Sequence, residues 1–160
     1  MPLEPVLVEG RLRASIAPAG AFRAVSPLTG EPTGAEFPVS SFEELETAVR
    51  AGARAAEELR SLPPDVRADF LDAYAGLIEE RESELVEAAR RETGLPSEPR
   101  LSKVELPRTS GQMRKAAEAA RERSWCRATI DTKADIRSLF EPLGGPVAIF
   151  GPGNFPFAYN

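Results

Sequence analysis

Four consecutive apolar residues, Val147-Ala148-Ile149-Phe150, stand between the breaking stretch Pro142–Pro146 and the turn Gly151-Pro152-Gly153. An apolar run without polar alternation suits a strand buried on both faces, the kind that lies inside a helix-covered sheet. One strand cannot make a sheet, and the 160 residues hold no second run of this kind to pair with it. The chain therefore reads as a fragment, a truncated product or one part of a longer protein.

Before that run lies a helical block, residues 40–123. Ser40 and Ser41 are followed three residues later by Glu43 and Glu44, the pattern of a capping box. Phe42, Leu45, Val49, Ala53, Ala56 and Leu59 then recur at spacings of three and four and form one apolar stripe. Pro63-Pro64 ends this helix, and Asp65 is the expected N-cap of the next. The spacing predicts one long second helix that buries Phe70, Leu71, Tyr74, Leu77, Ile78, Leu85, Val86 and Ala89. Gly94 suits the left-handed position after its last turn, and Pro96 prevents continuation. A third helical segment is expected from about Pro99 to Arg123, interrupted at Pro107. Its inward residues are read as Leu101, Val104, Met113, Ala116, Ala117 and Ala120.

The flanks are extended. Val6–Val8 and Phe22–Val25 have β character, and Ser26-Pro27-Leu28-Thr29-Gly30 punctuates a turn that Glu31–Gly34 prolongs. Glu36–Val39 leads out of it, with Pro38 at an edge or a strand end. Arg127–Asp131 and Ile136–Phe140 alternate apolar with polar residues, as a half-exposed antiparallel pair does.

Composition narrows the chemistry. The net charge of −5 gives no electrostatic reason to expect nucleic acid or an anionic membrane as partner. No apolar run approaches the ~18 residues of a membrane-spanning helix. The opening residues lack a secretory pattern, and a single cysteine, Cys126, suits a reducing cytoplasm. With no histidine and one cysteine, neither a zinc site nor a Ser-His-Asp triad can be assembled from these residues.

The chemistry that is left lies at the end of the apolar run. In open α/β sheets ligands bind beyond the carboxyl ends of the strands, where Asn154 falls. Two glycines there admit a ligand to the backbone, and an asparagine amide can donate to a developing oxyanion without carrying charge. The plainer reading is that Asn154 caps the turn or a following helix. Cys126 is read as a small buried hydrophobe rather than a nucleophile. Glu79, Glu80, Glu82 and Glu84 are read as a solvated helix face, and Phe22, Phe37, Phe42 and Phe70 as core.

The segment Pro142-Leu143-Gly144, Val147–Phe150, Pro152-Gly153-Asn154-Phe155-Pro156 resembles the P-x-G, apolar strand, P-x-N-F-P motif of NAD(P)-dependent aldehyde dehydrogenases. Ser26–Glu31 is similar to the family's N-P-x-T-G-E turn, and Glu92-Thr93-Gly94-Leu95-Pro96 to its E-T-G-K-P. Ala48–Ala56, Arg67, Leu71 and Glu84-Leu85 look like its first two helices. Leu95 for lysine, with Arg100-Leu101, Gln112-Met113-Arg114, Ile130-Asp131-Thr132 and Asp135-Ile136-Arg137, is most similar to the branch that oxidises 2-oxoglutarate semialdehyde (2,5-dioxovalerate). The likeness covers nearly the whole chain.

The resemblance implies an α/β fold of three parts. Residues 1–126 would be N-terminal strands and helices of the cofactor-binding domain. Residues 127–141 would be a hairpin of the oligomerisation arm of a dimer or tetramer. Residues 142–160 would be the first strand of the nucleotide-binding sheet with the oxyanion segment. It implies oxidation of an aldehyde by NADP or NAD through a cysteine thioester. Asn154 would bind the aldehyde oxygen and the oxyanion, and Phe150, Gly151, Pro152 and Gly153 would lie beside the nicotinamide ribose. The family's nucleophilic cysteine, general-base glutamate, glycine-rich cofactor turn and ribose-binding lysine follow this segment and are not among the 160 residues. Gly153 stands where many members have tryptophan. The competing reading is a non-enzymatic helical module whose extended ends mediate assembly.

Overall fold

The computed structural model describes residues 3–159. Three antiparallel hairpins surround a helical middle. Strands β1 (Val6–Val8) and β2 (Arg11–Arg13) form the first, β3 (Gly20–Val25) and β4 (Pro32–Val39) the second, and β5 (Thr129–Asp131) and β6 (Ile136–Ser138) the third. Between the second and third lie α1 (Phe42–Ser61), α2 (Pro64–Glu80), α3 (Glu82–Thr93), a π-helical segment (Ser97–Glu105) and α4 (Leu106–Glu122).

In the second hairpin Phe22 lies opposite Phe37 and their rings stack at 5.7 Å, while Arg23 opposes Glu36 with an ion pair at 3.5 Å. The stretch read as a prolonged turn is partly strand, because Pro32 opens β4 opposite Val25. A proline is tolerated at a strand's first residue, where no ladder donor is lost. Strand β2 carried no apolar pattern that could have announced it. The third hairpin turns where Asp131 Oδ1 accepts from the N–H groups of Lys133 and Ala134, and its six ladder residues are all exposed.

Helix α1 starts as expected. Ser41 is its N-cap, with Oγ accepting from the Glu44 N–H at 3.2 Å. The reciprocal half of the box is absent, because the Glu44 carboxylate reaches elsewhere. Its Oε2 accepts from Ser15 Oγ at 2.6 Å and its Oε1 from the Ile16 N–H at 3.0 Å. These bonds tie the segment after β2 to the first turn of α1.

The Ser15 hydroxyl, the Ile16 N–H and the Ser40 side chain hold the Glu44 carboxyl below the usual carboxylate range, and Arg13 adds to this. A carboxyl depressed in the folded state stabilises it at neutral pH, and that contribution fades as pH falls through the folded pKa. Acidification should therefore loosen residues 13–17 from α1 before the helices melt. Amide exchange at Ile16 should rise with acid in the natural chain. In Glu44→Gln it should be high and nearly pH-independent once intrinsic exchange rates are divided out. Equal pH dependence in both would refute the assignment.

Helix α2 begins one residue before the expected cap. Pro63 occupies the N-cap position and Pro64 the first helical turn, where a missing N–H costs nothing, and Asp65 lies inside that turn. The long second helix is interrupted at Arg81 (φ −99°, ψ 19°), which separates α2 from α3. Its guanidinium pairs with Glu84 at 2.6 Å. Gly94 ends α3 in the left-handed conformation at φ 70°. A Cβ at Gly94 would lie 3.0 Å from the side chains of Pro27 and Leu28, so glycine is required there for both φ and space. Thr33 Oγ1 donates to Glu92 Oε1 at 3.0 Å beside this contact. The turn after β3 and the end of α3 are thus docked on each other.

The third segment passes from π- to α-helical at Leu106 with helical dihedrals on both sides (Glu105 φ −75°, ψ −51°; Leu106 φ −62°, ψ −46°), so the break expected at Pro107 is absent and the proline lies in the first turn of α4, where a missing N–H costs little. Helices α2 and α4 form the most extensive contact between helices. Arg121 bridges Asp69 and Asp72 at 2.7 and 2.8 Å across it. The core is small. Val86, Ala89, Leu101 and Leu106 form it, with Ile78, Leu85, Leu95 and Phe157 packed around them.

Several faces read as buried are open. On α1, Phe42 is 81% exposed, and Leu45, Val49 and Leu59 are exposed too. On α2, Phe70, Tyr74 and Leu77 are exposed, and the buried residues are Ala68 and Ala75. Val104, Ala116 and Phe22 are likewise exposed. Periodicity identified apolar faces, and nothing among the described residues covers them. No helix is long and apolar enough to cross a membrane among these residues.

Candidate functional site

The stretch from Leu139 to Gly153 leaves the third hairpin and contains no regular secondary structure. It crosses α1 where that helix carries Gly52, whose added Cβ would meet Pro146 Cβ at 3.1 Å. The run Val147–Phe150 was expected as a buried strand, and this is corrected. It has no ladder partner, and Val147, Ile149 and Phe150 are 82%, 65% and 92% exposed. The reason is the one the sequence raised: each described strand pairs only within its own hairpin, and none pairs with this run.

Beyond this run the chain tightens. The Phe155 N–H donates to the Pro152 carbonyl at 3.1 Å and closes a turn with Gly153 and Asn154 at its centre. Asn154 is exposed at the tip. Among the described residues its side-chain amide makes no hydrogen bond, so it does not cap the turn that carries it. Its own carbonyl accepts from Arg100 Nη2 at 2.8 Å.

The residues that follow are held by side chains from the π-helical segment and α4. The Arg100 guanidinium lies 4.2 Å above the centre of the Phe155 ring. Phe155 meets Tyr159 edge-on at 4.8 Å, and Arg108 lies over Tyr159 and donates to its hydroxyl at 3.3 Å. Phe157 packs on the core, and its N–H donates to Glu105 Oε2 at 3.2 Å. The Glu105 side chain is 1% exposed. Its Oε1 lies 3.0 Å from Arg100 Nη2, a charge contact without hydrogen-bond alignment. A buried carboxylate persists only if paired, and its pairing here is divided between Arg100 and the backbone after Asn154.

The expected cofactor residues lead into this turn. Ile149, Gly151, Pro152, Gly153 and Pro156 line an open shallow hollow without a charged side chain. A Cβ built on Gly153 would meet nothing within 4 Å. The hollow's bare backbone and apolar rim offer no charged side chain to pair with a phosphate. Phe150 through Gly153 are all exposed to solvent, and Phe150 does not line the hollow.

The whole chain was compared with known proteins. The model of the aldehyde dehydrogenase family matches residues 16–160. The chain belongs to that family. Among its curated relatives are alpha-ketoglutaric semialdehyde dehydrogenase of Acinetobacter baylyi, 35% identical over 96% of this chain, and alpha-ketoglutaric semialdehyde dehydrogenase 2 of Azospirillum brasilense, 37% identical over 89% of it. The matched region spans 30% and 28% of those two proteins. The fold agrees with solved aldehyde dehydrogenases. Aldehyde dehydrogenase C of Pseudomonas syringae, solved with NAD+ and octanal, superposes with a TM-score of 0.71 at 23% identity, covering 80% of this chain and 25% of that one. NADP-dependent glyceraldehyde-3-phosphate dehydrogenase of Bacillus halodurans, solved with NADP, gives 0.65 at 25% identity, covering 72% and 24%. The α/β class expected from the sequence is the class observed.

The N-F-P segment made Asn154 a candidate from the sequence, and the residues that hold its backbone were not among the candidates. Arg100 entered only as part of the resemblance, and Glu105 was not singled out. The available signal was only a carboxylate directly between Val104 and Leu106. Cys126 is free and buried, as read. It lines a separate hollow with Arg123, Trp125 and residues 139–145, which shares no residue with the hollow beside Asn154. Glu79, Glu80 and Glu84 are exposed, Glu79 paired with Arg114 of α4.

Proposed function

We propose that the intact protein oxidises an aldehyde to a carboxylic acid with NADP or NAD through a cysteine thioester, and that Asn154 donates to the oxygen of the reacting carbonyl. The observation that carries this reading is the free Asn154 amide at the tip of a turn held from behind, directly after an exposed Gly-Pro-Gly backbone. As the aldehyde becomes tetrahedral its oxygen gains negative charge. A donor already in place lowers that barrier without reorganisation. Phe150 to Gly153 would pack against the nicotinamide-ribose end of the cofactor, whose chemistry is to accept the hydride. The attacking thiolate and the glutamate that activates water belong to family segments outside these 160 residues.

The names of the two curated relatives support 2-oxoglutarate semialdehyde as substrate. In this reading residues 1–126 and 142–160 belong to the cofactor domain. The exposed hairpin of residues 127–141 pairs with a second subunit in a dimer or tetramer. Its uncovered ladder edges are what such pairing would satisfy. A cytoplasmic location belongs to the same reading, and the lone free thiol among these residues is compatible with it.

The test is thermal. A ligand that binds only the folded state raises its stability, by about 2.7 kcal/mol at a hundredfold excess over Kd. Saturating NADP+ or NAD+ should raise the melting temperature of the intact protein by several degrees. No shift with either cofactor would favour the helical assembly module instead.

A further inference from the structure

We infer that Arg100 and Glu105 are positioning residues for the oxyanion donor: they fix the backbone on either side of Phe155 so that the Asn154 amide is aimed before substrate arrives. The inference rests on the role proposed for Asn154. Residues 153–159 hold no strand or helix, so beyond the local turn bond their place on the helices is set by tertiary contacts. Arg108 holds Tyr159, and the contacts around Asn154 and Phe155 converge on two side chains. Arg100 donates to the Asn154 carbonyl and covers the Phe155 ring. Glu105, fully buried, accepts from the Phe157 N–H and faces the Arg100 guanidinium at 3.0 Å. One ion pair thus grips the chain on both sides of Phe155.

The grip has a rigid base. Arg100 and Glu105 flank Leu101, which is 0% exposed, on one π-helical segment, and Leu106 beside Glu105 is 1% exposed. Phe157 packs on the same cluster. Displacing the Asn154 backbone therefore breaks its hydrogen bond from Arg100 or moves the core. Arginine suits the task better than lysine, because its planar group can stack on Phe155 while an in-plane N–H reaches the Asn154 carbonyl.

The test is a double-mutant cycle on turnover in the full-length enzyme, combining Arg100→Met with Asn154→Ala. A displacement of about 1 Å can cost roughly 10²-fold in rate. Arg100→Met should lower kcat by ~10–10²-fold in the natural background, with the KM for cofactor changed less than about threefold. In the Asn154→Ala background the same substitution should change kcat by less than about threefold, because the aimed group is gone. Arg100→Lys should recover only part of the loss. Equal losses in both backgrounds would overturn the positioning role while leaving the oxyanion role intact. Near-normal turnover of Asn154→Ala itself would overturn both.

A second readout needs no catalysis. Amide exchange in Glu105→Gln should quicken at residues 154–159 and stay unchanged along α2 and α4. Faster exchange throughout the helices would make Glu105 a general core residue and contradict the inference.

Discussion

Replacing Asn154 by alanine in the full-length enzyme lowers turnover by about 10²–10³-fold, the usual consequence of removing one oxyanion donor. The loss falls on kcat, because the donor's bond strengthens as charge develops on the carbonyl oxygen. Cofactor affinity should change little, since the expected ribose contacts come from Phe150 to Gly153. Folding should also be spared. Asn154 is exposed, its side chain holds nothing, and the turn is closed by the backbone of Pro152 and Phe155. Steady-state kinetics with a saturating aldehyde, together with a melting curve, check both halves of this expectation.

The largest expected effect on stability comes from Leu101→Ala. Leu101 is wholly buried in a cluster with only three other buried members, Val86, Ala89 and Leu106. A leucine truncated in such a site costs about 2–5 kcal/mol, from lost transfer energy and from the cavity left behind. The high end applies where neighbours cannot collapse into the gap. Here Arg100 and Glu105 are tied to residues 154–157, which limits relaxation of the π-helical segment. Leu106→Ala should cost a comparable amount, whereas Phe42→Ala, at a residue 81% exposed, should cost under about 0.5 kcal/mol in this chain. Thermal melting of the three variants checks the order. A Phe42→Ala loss equal to that of Leu101→Ala would mean that α1 is covered in the intact protein.

That contrast also shows what could be read from residues alone. Helix limits set by local chemistry were legible in part: Ser41 as N-cap and Gly94 as left-handed terminator stand where expected, whereas the break expected at Pro107 is absent, because that proline lies in the first turn of α4. Faces were less so. The stripe on α1 is real as a pattern, but burial depends on partners that periodicity does not name, and Phe42 and Val49 lie open. Val147–Phe150 carries the composition of an inner strand and no ladder, since hydrogen bonding to neighbours is not a local property. Arg81 interrupts α2 and α3 with no proline or glycine to mark it.

The site divides in the same way. Asn154 was legible because a short motif surrounds it. The pair that holds it was not, because Arg100 and Glu105 lie about fifty residues earlier in the chain and meet it only through the fold. A buried carboxylate gives a sequence signal only through its apolar neighbours, and that signal is shared with many amphipathic helices.

Turnover of Asn154→Asp beside Asn154→Ala tests the central claim most directly. Aspartate keeps the size and one side-chain oxygen of asparagine but cannot donate an N–H when ionised, and it sets a negative charge where the oxyanion would form. If Asn154 is the oxyanion donor, Asn154→Asp turns over at least as slowly as Asn154→Ala, about 10²-fold or more below the natural enzyme, with its melting temperature preserved. Turnover of Asn154→Asp within a few-fold of the natural enzyme would contradict the account and leave Asn154 as a turn residue.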